Sequence, residues 1–230
     1  MTKKERAAQA VAILKERYPE AICSLVYDKE KPYELVIATR LSAQCTDARV
    51  NIVTKELFAR YDSLEAFANA DLAEVEEIVK PCGFFRMKAK DTIGMCQAML
   101  SRFDGKVPDT IEELITLPGV GRKTANLIVG DIYHKPSIVT DTHCIRICGR
   151  LGLTTGITEP KKVEDALRPI LDPVESGDFC HRLVLFGRDV CTARAPKCEE
   201  CPLKPICKEG PAPKKTKKPS ARAKIKPEEA

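Results

Sequence analysis

The chain has 230 residues, 43% hydrophobic and 31% charged, which are the proportions of a folded globular protein and not of a disordered one. No apolar run approaches the ~20 residues that span a bilayer, and the charges in Met1–Arg6 are followed by no apolar leader segment, so a cytoplasmic protein is expected. The formal charge is +5, and residues 208–230, with eight Lys/Arg against three Glu, account for all of it. A uniformly basic body is thereby excluded: nucleic-acid affinity of residues 1–207 must come from uneven charge placement. The Pro/Lys/Ala tail either adds sequence-independent attraction to phosphate or simply solubilises the chain.

Apolar residues recur at helical spacing along the body. The pattern predicts helices over Ala7–Leu14, Tyr33–Leu41, Val50–Tyr61, Leu64–Ala68, Leu72–Val79, Ala89–Phe103, Ile111–Leu117, Arg122–Tyr133, Thr142–Leu151, Val163–Leu171 and Phe179–Arg188. Cap-type residues mark several starts (Thr46, Ser63, Asp71, Asp109, Asp141), and prolines mark the breaks. No strand alternation and no fixed-period repeat is present, so an all-α array of short helices is expected.

Between two of these helices lies Leu117-Pro118-Gly119-Val120-Gly121-Arg122-Lys123. Gly119 and Gly121 are expected to take unusual dihedrals and to present bare N–H groups at the start of the next helix, an arrangement that attracts phosphate. A plain helix–turn–helix connector is the alternative. Lys123 falls in the first helical turn, where the helix dipole favours the neutral amine that nucleophilic chemistry needs; a merely solvated lysine is its alternative. Asp141 follows 18 residues later in Val139-Thr-Asp-Thr-His143. A helix of about twelve residues travels ~18 Å, and seven extended residues can retrace that length, so Asp141 can return to the mouth where Lys123 sits. It would also cap the next helix, and capping alone would account for it.

Near the C-terminus Cys191, Cys198, Cys201 and Cys207 form a C-x6-C-x2-C-x5-C run in a segment with three prolines and no apolar face. Four thiolates there indicate a metal centre that is the segment's own core, zinc or iron–sulfur being equally compatible with the spacing. The other seven of the eleven cysteines, including the i, i+4 pair Cys144 and Cys148, read as reduced core thiols.

The hairpin L-P-G-V-G-R-K, the Asp of V-T-D-T-H and the four-cysteine run, in that order, resemble the endonuclease III family of iron–sulfur, helix-hairpin-helix DNA glycosylases, and Leu41-Ser-Ala-Gln-Cys-Thr-Asp47 resembles that family's L-S-A-Q-x-T-D segment. The resemblance spans the first helix to Cys207. It implies a six-helix domain over 25–135 carrying the hairpin, a discontinuous cluster domain of 1–24 with 136–207, and a disordered basic tail over 208–230. It further implies a [4Fe–4S] cluster on the four cysteines and a cytoplasmic, nucleoid-associated monomer acting on damaged double-stranded DNA. Lys123 would attack C1′ of a flipped oxidised pyrimidine nucleotide and form a Schiff base that β-eliminates the 3′ phosphate, with Asp141 assisting. DNA contacts would come from Gln44, Phe84, Leu117, Pro118, Gly119, Val120, Gly121, Arg122 and His143. Gln44 and Phe84 would fill or wedge the gap in the duplex, unless they are a helix-terminal Gln and a core Phe. Arg188, Arg194, Lys197 and Lys204 would present a basic loop around the cluster. Two departures from the family pattern stand out: Thr140, where an apolar residue is common, and Cys45 beside Gln44. An adenine glycosylase or a mismatch thymine glycosylase is disfavoured by Lys123, and a zinc-bearing, non-catalytic module by Lys123 together with Asp141.

Overall fold

The computed structural model describes residues 1–20 and 22–210; of the tail expected over 208–230, residues 211–230 lie outside the described residues. Eleven α-helices and no strand occur among the described residues: α1 (Lys3–Arg17), α2 (Tyr33–Leu41), α3 (Asp47–Arg60), α4 (Leu64–Ala68), α5 (Leu72–Val79), α6 (Phe85–Arg102), α7 (Ile111–Leu114), α8 (Arg122–Asp131), α9 (Thr142–Arg150), α10 (Pro160–Leu167) and α11 (Ser176–Asp189). None is long and apolar enough to cross a membrane.

Local chemistry sets the ends. Thr2 and Glu5 form a reciprocal capping box on α1, and Thr46, Ser63, Asp71 and Asp141 each accept a backbone N–H at the start of α3, α4, α5 and α9. The cap of α7 is Thr110 and not Asp109, whose carboxylate instead pairs with Lys135 at 2.6 Å. α6 begins four residues before the apolar pattern does, because its first turn contains Arg86, Met87 and a buried Lys88, which hide the periodicity. α8 stops at Asp131, two residues short of the expected end, and α10 starts at Pro160, where proline needs no N–H partner.

Two apolar cores form. The first gathers α2 to α8, with Phe67 fully buried among Tyr33, Phe58 and Tyr61. The second gathers Ala7, Ala10 and Leu14 of α1 with α9, α10, α11 and the cysteine-rich loop through Leu203 and Ile206. Leu127 of α8 packs against both. The fully buried Asn126 joins them too: its amide N–H groups donate to Arg122 O (3.1 Å) and Glu164 Oε2 (3.2 Å), while its oxygen accepts from Ile138 N at 3.1 Å. That last bond fixes the return of the chain towards α9.

Candidate functional site

Lys123 on α8 and Asp141 at the cap of α9 line one cavity of about 240 Å³ between the two cores, together with Ser42, Asp47, His143 and Arg188. The extended return held by Asn126 therefore does bring Asp141 back to the mouth of α8. Lys123 is exposed and Asp141 half-buried, its Oδ1 accepting Cys144 N–H at 2.7 Å. The carboxylate is thus oriented by the backbone, and its other oxygen has no hydrogen-bond partner among the described residues. His143 packs against Gly187, where a Cβ would collide with the imidazole. Burial lowers its pKa; Asp141 raises it, and Arg146, Arg188 and Lys123 lower it further, so the ring is neutral near pH 7. A larger cavity of about 460 Å³ shares the wall of Ile22, Cys23 and His181 but contains neither Lys123 nor Asp141.

The hairpin turns through Leu117–Val120, closed by Val120 N to Leu117 O at 3.2 Å, with Pro118 second and Gly119 third at φ +73°. A Cβ on Gly119 would lie 2.6 Å from Arg40 Nε and 2.7 Å from Asp91 Oδ2, which form a mostly buried ion pair between α2 and α6. Gly121 differs from expectation. Its φ of −94° is open to any residue, it caps α8 without a side chain, and nothing lies within 4 Å of its would-be Cβ. Leu117 and Val120 are buried in the first core, and Pro118 and Gly119 between them are exposed. The Arg122 guanidinium forks onto Glu164 of α10, 2.7 and 2.9 Å away, while its backbone N–H lies at the head of α8. Glu164 is wholly buried; burial raises its carboxyl, but bonds from Arg122 and Arg168 outweigh this and hold it below the ordinary range.

Gln44 and Phe84 are both exposed, Phe84 by 67%, and neither belongs to a core. Both hold left-handed backbone, φ +55° and +49°, a conformation disfavoured for residues with a Cβ. Such strain collects at functional positions.

Cys191, Cys198, Cys201 and Cys207 surround a cavity of about 30 Å³. No three His, Cys, Asp or Glu side chains among the described residues converge as ligands of one ion would. Burial and the proximity of the other three thiols raise the Cys201 pKa, so four thiolates require a cationic centre between them. Arg150 braces the loop, donating to Cys191 Sγ (3.3 Å) and Thr192 O (2.8 Å), while its own carbonyl accepts the N–H of Lys208 and Glu209. Residues 208 and 209 are therefore tied to the fold and not free tail. Of the basic residues expected around the loop, Arg188 pairs with Asp47, Lys197 with Asp189 and Lys204 with Glu199. Arg194 alone of the four has no ion-pair partner among the described residues. Cys144, Cys148 and Cys180 lie buried together in the second core as free thiols.

The HhH-GPD superfamily base excision DNA repair protein model matches residues 37–173, the span of both the hairpin and Asp141, and the iron–sulfur binding domain of endonuclease III matches residues 191–207. The endonuclease III of Synechocystis sp. is 46% identical over 207 residues, covering 90% of this chain and 93% of that protein. The chain belongs to the endonuclease III family. The Bacillus subtilis endonuclease III is 42% identical over 193 residues, covering 84% and 87%. A solved trapped endonuclease III–DNA covalent intermediate, the estranged-adenine complex, superposes with a TM-score of 0.85 at 38% identity, covering 91% of this chain and 98% of that one. In keeping with its family the protein carries a [4Fe–4S] cluster, and the four-thiol cavity has the donor set to receive it.

Sequence reasoning passed over Lys88, which lies wholly buried beneath the Gln44 and Phe84 loops and carried no local signal, and it did not foresee that Asp47 of the L-S-A-Q-C-T-D segment and Arg188, expected beside the cluster, bridge the cleft at 3.2 Å.

Proposed function

We propose that the protein is a base excision repair enzyme that removes oxidised pyrimidines from duplex DNA and then nicks the abasic strand 3′ to the site. The observation that carries this reading is the joint lining of one cavity by Lys123 and Asp141, in a chain whose hairpin and cysteine loop belong to endonuclease III. DNA lies across the cleft between the two cores, which we assign to residues 25–135 and to 1–24 with 136–207. Pro118, Gly119 and the N–H groups at the head of α8 hold phosphate, and Gln44 and Phe84 enter the duplex where a nucleotide has left it. Flipping is required because C1′ is shielded in the stack.

Lys123 Nζ, as the neutral amine, bonds to C1′ while the C1′–N glycosidic bond breaks, and the base departs with the electron pair and takes a proton from solvent. The proton shed by the new C1′–N ammonium passes to the ring oxygen as the C1′–O4′ bond breaks, giving a protonated imine; a C2′ proton is then lost to solvent, and the C3′–O3′ bond breaks with phosphate as leaving group. The Asp141 carboxylate, held by Cys144 N–H, stabilises positive character at the sugar and receives the Lys123 proton. Cys191, Cys198, Cys201 and Cys207 would hold the cluster, which would supply the core that residues 191–207 lack. Duplexes each bearing one lesion, assayed separately for base release and strand nicking, test the assignment. Release and nicking at thymine glycol, with none at a G·A or G·T mismatch, is expected; activity confined to mismatches would reverse it.

A further inference from the structure

We infer that Lys88 is a positioning residue that locks the Gln44 and Phe84 loops to each other, so that both enter DNA as one rigid wedge. This rests on the reading of those two side chains as duplex-inserting. Lys88 is fully buried, and its Nζ donates to Leu41 O and to Cys82 O, each at 2.8 Å. Leu41 is the last residue of α2, three before Gln44; Cys82 is two before Phe84. The Lys88 backbone N–H also donates to Phe84 O at 3.1 Å, closing the first turn of α6 on the strained residue itself. One side chain thus joins the carbonyl end of α2 to the turn that launches Phe84, and its backbone anchors Phe84 directly.

No carboxylate pairs with this ammonium among the described residues. Burial lowers its pKa, which the nearby Cys82 and Cys45 thiols partly offset. An unpaired buried lysine is costly, and an apolar side chain of equal length would fill the same space at less expense. What methionine would not supply is a set of N–H donors joining two chain segments. Gly83 at φ +70°, Phe84 at +49° and Gln44 at +55° all lie within three residues of a Lys88 acceptor, and such conformations persist only when the surroundings over-determine them.

The test compares single-turnover excision of one lesion in fully paired duplex with the same lesion in an unpaired bulge, where no stack must be opened, using the full-length cluster-loaded enzyme. Lys88→Met is expected to slow the paired substrate by about tenfold, the loss of a charged hydrogen-bond pair, while sparing the bulge. The Gln44→Ala/Phe84→Ala enzyme should lower the same paired-to-unpaired ratio, and adding Lys88→Met to it should lower it no further. If Lys88→Met does not fold, Lys88→Gln, which keeps two N–H donors without the charge, serves in its place with a smaller fall expected. An equal slowing on both substrates, or none, overturns the positioning role. If the Gln44→Ala/Phe84→Ala enzyme itself keeps the parental ratio, the wedge reading falls and this inference with it.

Discussion

Asp141 serves two roles that a single substitution separates. Asparagine caps a helix about as well as aspartate, so Asp141→Asn should melt within about 0.5 kcal/mol of the parent, while single-turnover excision falls by roughly 10²–10³ for want of the charge. A large drop in melting temperature would mean that the carboxylate holds the fold and not the reaction. Phe84 invites the opposite experiment. At φ +49° with its ring two-thirds exposed, it loses little burial on truncation, and Phe84→Gly should raise stability by about 1 kcal/mol in thermal unfolding while slowing excision from paired duplex. At this scale the four cysteines could be named from spacing and residue chemistry, whereas for Lys123 and Asp141 a solvated lysine and a plain helix cap stayed open until the resemblance to the family was added. Whether Phe84 was wedge or core could not, because the sequence shows an apolar residue and not its exposure; nor could Lys88, whose two acceptors are backbone carbonyls that any sequence provides.

The hairpin shows where element-level reasoning stops. Gly119 and Gly121 look interchangeable in L-P-G-V-G, yet only Gly119 needs to be glycine, since its φ is +73° and the Arg40–Asp91 pair fills the place of its Cβ. That pair comes from α2 and α6, distant in sequence, and no local pattern announces it. Gly119→Ala should cost about 1–3 kcal/mol by denaturant unfolding, whereas Gly121→Ser, which supplies a cap oxygen to α8, should be neutral or stabilising by a few tenths. Equal losses at both positions would contradict the turn described. The helices themselves were legible because caps and apolar periodicity agree; their starts shifted where a proline or a buried lysine competed, as at α10 and α6.

At the scale of the molecule, the two cores are coupled through Glu164, which takes Arg122 and Asn126 from α8 and Arg168 from the C-cap of its own helix. Its folded carboxyl is held below the unfolded value of about 4.3, so its contribution is present above that pH and is lost as pH falls through the folded value. Glu164→Gln should therefore lose about 3 kcal/mol near neutrality and less in acid, as read from unfolding at several pH values. A pH-independent loss would point to packing instead. Nothing in the sequence paired residue 164 with residue 122, since the bridge exists only once the cores meet across α8. The account as a whole turns on the amine at the mouth of that cleft. Borohydride should convert the enzyme on an abasic or oxidised-pyrimidine duplex into a stable protein–DNA adduct, and Lys123→Ala should bind the same duplex yet give neither adduct nor nick. Undiminished trapping by Lys123→Ala would place the nucleophile on another amine and contradict the mechanism.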